Sequence, residues 1–342
     1  MVRDPGKDAL EALAFSGLNP WTAGRMLSTA GPEVVLARAR LRMRDDEARF
    51  DVSADERRDQ LAALGARFVA RGDVEFPEWL AGMPDAPWWL FVTGSLAEAP
   101  GIAVVGSRRA TAYGLDVAQR VGTVLAQAGI SVVSGLAAGI DGAAHRGALI
   151  GGGHTVAVLG SGIDVVYPAR HRSLAGWIMR SGGAMISEYP PGAAPEPWRF
   201  PLRNRIVSGL SRGVVVVEAA EKSGALITAR HALEQNLDVY AVPGDIGRPT
   251  SRGCNLLIRD GAHPLTDPHE LIESLGFGSA VSPSCEVLGL APGDAVAIDE
   301  LVERSEDPMG VLAQLGRLEL AGRVVVRDGI VSALPANRTA PP

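Results

Sequence analysis

Lysine is almost missing from this 342-residue chain: only Lys7 and Lys222 are present, so nearly all of its positive charge is arginine. The planar guanidinium grips a phosphate with two parallel hydrogen bonds, which an ammonium cannot do. Cysteine is equally scarce. Cys254 and Cys285 are far apart in the chain and differ in context, which excludes a disulfide framework or a cysteine-based zinc cluster. The six histidines form no H-E-x-x-H string and pair with no cysteine, so no metal is expected. There is no apolar run of the length a signal peptide or spanning helix needs, which predicts a cytoplasmic protein without membrane insertion. Positive charge is not in excess either. The formal net charge of −6 speaks against a polyanionic partner unless the arginines are gathered at one place.

What is present is a chain 46% hydrophobic and 21% charged, able to bury a sizeable core and long enough for two or three modules. Residues 1–64 show apolar positions at helical spacing, broken by the turn-rich Ser16-Gly17-Leu18-Asn19-Pro20, and predict a small helical domain of helix-hairpin-helix or SAM-like type. A plain helical hairpin gives the same pattern. Residues 41–60 are charged and read as a solvated helix joining two modules. Residues 65–275 alternate short apolar runs, among them Ile102-Ala103-Val104-Val105 and Val214-Val215-Val216-Val217, with helical stretches. That alternation predicts an α/β fold, a Rossmann-like parallel sheet with helices on both faces. A Gly/Ser/Pro-rich linker follows at 276–292. Residues 293–335 read as helix, helix and an Asp-Gly hairpin, a winged-helix-like domain that contacts DNA, contacts protein or is structural; residues 336–342 read as a disordered tail.

In such a sheet, ligands collect at the loops following the strands. After the first parallel strand comes Gly106-Ser107-Arg108-Arg109, where a glycine permits close approach, a helix N-terminus is expected to follow and Arg108 offers a fork for phosphate. Ser134-Gly135-Leu136-Ala137-Ala138-Gly139-Ile140-Asp141 leaves room beside it, with Asp141 expected to cap the next helix. Trp198-Arg199-Phe200-Pro201-Leu202-Arg203-Asn204-Arg205 combines cations with rings, as a single strand of nucleic acid requires. Ser223-Gly224 opens a further helix as an anion nest. Other motifs are excluded. Gly160-Ser161-Gly162 has Val165 where a dinucleotide fingerprint needs its third glycine, and no Walker spacing precedes Lys222. Ser211 of Gly209-Leu210-Ser211-Arg212-Gly213 precedes a strand beginning at Val214, the wrong context for a nucleophile elbow.

These motifs, together with Ile186-Ser187-Glu188-Tyr189 and Ala241-Val242-Pro243-Gly244, come in an order that resembles the DprA/Smf family over about residues 65–272. The resemblance implies a non-enzymatic, cofactor-free protein that binds single-stranded DNA, protects incoming DNA and loads the RecA recombinase in natural transformation and recombination. It also implies a homodimer, with apolar surface expected from Leu257, Ile258 and Leu265. Carried over by position, Gly106, Ser107 and Arg108 hold a backbone phosphate, Phe200 meets a base, and Arg203, Asn204 and Arg205 line the same pocket. Gly135, Ser223 and Gly224 complete it, with Arg170 and Arg199 in segments where the family is often basic. Lysines common in those segments are missing here. The alternative is a nucleotide-binding enzyme like the lysine-decarboxylase-like phosphoribohydrolases, but their P-G-G-x-G-T-x-x-E string begins at Pro243-Gly244-Asp245 and stops.

Overall fold

The computed structural model describes residues 4–42, 50, 52–275, 290, 294–303, 311, 315, 324–327 and 329–333. The chain divides into two compact units, Met1–Gly278 and Ser279–Pro342.

The first unit opens with helices α1 (Pro5–Phe15), α2 (Pro20–Leu27), α3 (Pro32–Arg42) and α4 (Ala54–Ala63). Local chemistry sets their starts. Asp4 and Asn19 cap α1 and α2 ahead of a proline, and Ser53 with Glu56 forms a capping box on α4. In the Ser16 to Pro20 turn, the N–H groups of Leu18 and Trp21 bond to Ser16 Oγ and Asn19 Oδ1. Of the charged segment 41–60, residues 43–49 and 51 lie outside the described residues.

Next come β1 (Ala66–Ala70), α5 (Glu78–Ala81), β2 (Trp89–Gly94), β3 (Gly101–Val105), α6 (Ala112–Gln127), β4 (Val132–Ser134), α7 (Ile140–Ile150) and β5 (Thr155–Val158). The unit continues through α8 (Arg172–Arg180), β6 (Ala184–Ser187), α9 (Arg199–Gly209), β7 (Ser211–Val216), α10 (Ala225–Glu234), β8 (Asp238–Ala241), α11 (Arg252–Arg259), β9 (His263–Pro264) and α12 (Glu270–Ser274). Among the described residues the sheet has nine strands in the order β1-β2-β6-β5-β4-β3-β7-β8-β9. Strands β3 to β9 pair in parallel, whereas β2 is antiparallel to both β1 and β6. The parallel part is the Rossmann-like fold expected; β2 is the departure from it.

The central strands are buried on both faces, which is why they read as unbroken apolar runs. Ala103 and Val105 of β3 join Val214 and Val216 of β7 in one core, while Ile102 and Val104 join Val215 and Val217 in the other. Each fully buried valine or isoleucine of this kind contributes roughly 1.5–3 kcal/mol. A third core unites the N-terminal helices with the sheet: Leu10, Leu13, Ala23 and Val35 cluster with Trp89, Phe91, Ala157 and Leu159. The two share one hydrophobic interior. Leu265 is only 4% exposed, packed with Tyr240 and Val242, so it offers no dimer surface; Leu257 and Ile258 on α11 are half-buried. Ser211 lies within β7 rather than ahead of it, its Oγ bonded to Val207 O, still not the strand-to-helix turn of an elbow.

The second unit contains β10 (Ala295–Ala297), α13 (Ile298–Glu303), β11 (Val324–Arg327) and β12 (Ile330–Ala333), with the strands antiparallel in the order β10-β12-β11. Leu301, Val324 and Val331 form its core with Val311 and Leu315. The hairpin is where the sequence puts it. The rest of the second helical pattern at 309–320 lies outside the described residues, as do the tail 336–342 and the linker 276–292 except Leu290. No helix among the described residues is long and apolar enough to cross a membrane.

Candidate nucleic-acid interface

From β3 the chain steps through α6, α7 and α8 to β4, β5 and β6 on one side, then returns to place β7 on the other side of β3. Strand order therefore reverses between β3 and β7, the position where open α/β sheets form a ligand crevice. A cleft of about 420 Å³ opens there, lined by the loops after β3, β4 and β7 and by the first turns of α9 and α10.

The loop after β3 is held from below. Ser107 N–H donates to Glu218 O at 2.7 Å, and Ile140 N–H donates to Ser107 O at 3.2 Å. The buried Glu218 carboxylate accepts from Thr111 N–H at 2.9 Å and from Thr111 Oγ1 at 2.6 Å. The expectation of an open helix N-terminus after Gly106 is thereby corrected. Helix α6 starts only at Ala112, its N-terminus is taken by Thr111 and Glu218, and the N–H of Ser107 is already spent. What the loop offers a ligand is the exposed Arg108 side chain, whose guanidinium lies 5.1 Å from the Phe200 ring centroid. Gly139 makes this possible from the other side: its φ of +80° suits glycine, and a Cβ there would stand 2.2 Å from Ser107 O.

Helix α9 presents a stripe to the cleft. Phe200, Arg203, Asn204 and Val207 stand at i, i+3, i+4 and i+7, the spacing of one helical face, and all four line it. Phe200 touches Gly160, whose missing side chain admits its ring, and its ring centroid lies 5.4 Å from that of Tyr167, the two planes tilted by 37°. Asn204 Nδ2 donates to Gly224 O at 3.3 Å. Arg203 is buried, with Nη1 donating to Gly135 O at 2.9 Å and to Val158 O. Burial pulls its guanidinium down to about 10 against the pull of Asp141. Burial pushes the Asp141 carboxyl up, while Arg203 and the N–H groups of Ala137 and Gly135 pull it down. Asp141 Oδ2 accepts those two N–H groups at 3.3 and 3.1 Å, so it braces the loop after β4 rather than capping α7.

Gly106, Ser107, Arg108, Gly135, Phe200, Arg203, Asn204, Ser223 and Gly224 thus meet at one cleft; Arg170, Arg199 and Arg205 do not line it. Arg205 is two residues from Arg203, about 200° around the helix, and points the opposite way. It forms a buried pair with Glu188, Nη1 to Oε2 at 2.7 Å and Nη2 to Oε1 at 2.6 Å, so its assignment to the pocket is corrected. Arg199 bonds to Ala194 O at 2.7 Å and Glu196 Oε1 at 3.0 Å and lies 4.7 Å from the Tyr189 ring, bracing the proline-rich loop outside the cleft. Arg170 is exposed on the turn after Tyr167-Pro168. Sequence reasoning missed two residues that support the cleft without lining it: Glu218, which anchors the first loop through Thr111, and Tyr167, whose ring meets Phe200. The Tyr-Pro pair after a glycine loop was the available signal for the latter. Among the described residues no group of His, Cys, Asp or Glu is arranged to hold a metal.

A family model described as DNA recombination-mediator protein A matches residues 67–276. Protein Smf of Escherichia coli (strain K12) is 42% identical over 279 residues, which is 75% of this chain and 75% of that protein. The solved structure of DNA processing protein A (DprA) from Streptococcus pneumoniae matches with a TM-score of 0.66 and 32% identity, over 80% of this chain and 98% of that one. DNA processing protein A from Helicobacter pylori, solved to give insight into its single-stranded DNA binding mode, matches with a TM-score of 0.55 and 26% identity, over 61% of this chain and 95% of that one.

Proposed function

This chain belongs to the DprA/Smf family of DNA-processing proteins, and from that premise we propose that it binds single-stranded DNA across the cleft between β3 and β7. The observation that carries the reading is Arg108, an exposed guanidinium held against an aromatic ring at the mouth of a cleft at the strand-order reversal. Cation and ring side by side are what a strand with accessible bases needs. Gly224 leaves its backbone approachable, with nothing within 4 Å of where a side chain would stand, whereas Gly106 and Gly135 are glycines because Ile140 and the Arg203 guanidinium fill that space; Ser107, Asn204 and Ser223 add polar groups at the rim. The reading is non-enzymatic and free of cofactor. Within the cleft Ser107 Oγ and Ser223 Oγ accept main-chain N–H groups, from Arg109 and Ala225, with no histidine or carboxylate bonded to either among the described residues. The cellular role proposed is protection of incoming DNA and loading of the RecA recombinase in transformation and recombination, in the cytoplasm.

Titration with single-stranded and duplex DNA tests this directly, and equal affinity for the two removes the reading. Arg108→Ala should cost about 1–3 kcal/mol of single-strand binding and lower the slope against log salt by roughly one. Its melting temperature should stay at the wild-type value, because an exposed loop arginine adds little to stability. Arg108→Lys should recover part of the affinity, having the charge without the fork. We also propose a homodimer through the α11 face that carries Leu257 and Ile258; a monomer by light scattering at micromolar concentration defeats that.

A further inference from the structure

We infer that His171 is a positioning residue for the cleft: its Nδ1–H, donated to Leu136 O, holds the loop after β4 in the left-handed turn on which the places of Gly135, Ala137 and Arg203 depend. The inference rests on the single-strand reading above and adds a residue that does not itself line the cleft.

The main chain of Leu136 is the anomaly to be explained. Among the described residues, two that are not glycine have positive φ, Leu136 at +56° and Asn236 at +57°. Asparagine enters that region readily, whereas the Cβ of a leucine there crowds the following carbonyl oxygen. A glycine would relieve the crowding and lose the anchor, because the Leu136 side chain is fully buried with Leu159, Ile163 and Leu174. Strain of this kind persists only where the surroundings impose it.

Here they impose it from three sides. Gly135 N–H and Ala137 N–H both donate to Asp141 Oδ2, at 3.1 and 3.3 Å, and Gly135 O accepts from Arg203 Nη1 at 2.9 Å. Those bonds fix the residues on either side of Leu136, both of which line the cleft. The third hold is His171, whose Nδ1 lies 2.9 Å from Leu136 O in the interior. A carbonyl only accepts, so Nδ1 carries the proton and the tautomer is set. The imidazole is seated in turn. His171 N–H donates to Pro168 O at 2.9 Å, and the ring edge lies against Gly142 of α7, where a Cβ would stand 2.7 Å from Cε1. Gly142 N–H donates back to Ala137 O at 3.2 Å. One side chain from the turn after β5, pressed on α7, therefore grips the loop after β4. Without its donor a buried carbonyl loses that bond, Leu136 is released from the left-handed region, and Gly135 and Ala137 move with it.

Affinity of the full-length protein for a dT oligonucleotide, measured by fluorescence anisotropy beside a urea titration of each variant, tests this. His171→Phe keeps a ring over Gly142 and removes the donor; it should weaken binding about 3- to 30-fold under conditions where the variant is folded. His171→Asn, whose side-chain amide offers an N–H where Nδ1 stands, should recover most of the affinity. Gly142→Ala leaves His171 and Leu136 in the chain but pushes the imidazole off its seat, and should weaken binding as His171→Phe does. Should His171→Phe not fold, Gly142→Ala decides alone. Wild-type affinity in a folded His171→Phe or in Gly142→Ala, whatever the change in stability, overturns the inference while single-strand binding stands. A His171→Asn protein as weak as His171→Phe overturns it as well, since the donor is then not what matters. If the wild-type protein does not bind the oligonucleotide, the proposed function itself falls.

Discussion

Replacing Glu188 by alanine is expected to cost about 3–5 kcal/mol of stability, because it leaves the Arg205 guanidinium buried without its partner. The side chains of the pair are 4% and 5% exposed, and both guanidinium nitrogens that face Glu188 are bonded to it. Asp85 Oδ2, 4.0 Å from Arg205 Nε, is too distant to substitute, and its Oδ1 is shared with Gln235. For a domain of this size the loss corresponds to a fall in melting temperature on the order of 10 °C. Arg205→Ala should fall by a comparable amount, stranding the carboxylate instead. Pairing the two changes as Glu188→Leu with Arg205→Met should return much of the loss, since no charge is left buried. Single-strand affinity, measured well below each variant's melting temperature, should stay near wild type. Urea titration and binding on the same samples decide it: an Arg205→Ala protein with normal stability and lost affinity would put Arg205 back in the DNA site.

Arg205 also marks where local sequence ceased to be informative. The segment from Trp198 to Arg205 was legible as cationic and aromatic, and the strands and loops that frame it were legible because central parallel strands are apolar throughout. Its helical phase is contained in the sequence too: at 3.6 residues per turn Phe200, Arg203 and Asn204 share a face and Arg205 falls off it, nearly opposite Arg203. What the periodicity does not contain is Glu188, eleven residues before α9 begins and fixed against Arg205 only by the packing of β6. The same limit explains β2, whose apolar run reads alike whether it pairs parallel or antiparallel. It explains the shared core of α1 to α3 with Trp89 and Phe91, since an apolar helix face does not name the surface that covers it. Glu218 is the functional counterpart. As a lone acid after a strand it gave no sign that Thr111, 107 residues earlier in the chain, would close on it.

Gly139→Ala is expected to damage stability and binding together, because one glycine serves both. At φ +80° and ψ −125° an alanine is strained by about 1–3 kcal/mol before any contact is considered. Its Cβ would also stand 2.2 Å from Ser107 O, 3.0 Å from Arg108 C and 3.1 Å from Arg108 Cα, all main-chain atoms that no side-chain rotation can move aside. Relief requires the loop after β3 to retreat, breaking the bond from Ile140 N–H to Ser107 O and carrying Arg108 away from Phe200. Overpacking of that kind adds about 1–3 kcal/mol. Gly152→Ala supplies the control. Gly152 has φ +73° with nothing within 4 Å of a Cβ, so it suffers the backbone strain without the collision. The expected outcome is a modest loss of stability and unchanged single-strand affinity for Gly152→Ala, against a larger loss of stability and an affinity at or below that of Arg108→Ala for Gly139→Ala. Equal behaviour of the two alanine variants in urea titration and in DNA binding would mean that the close approach of the two loops does not hold the Arg108 turn in place.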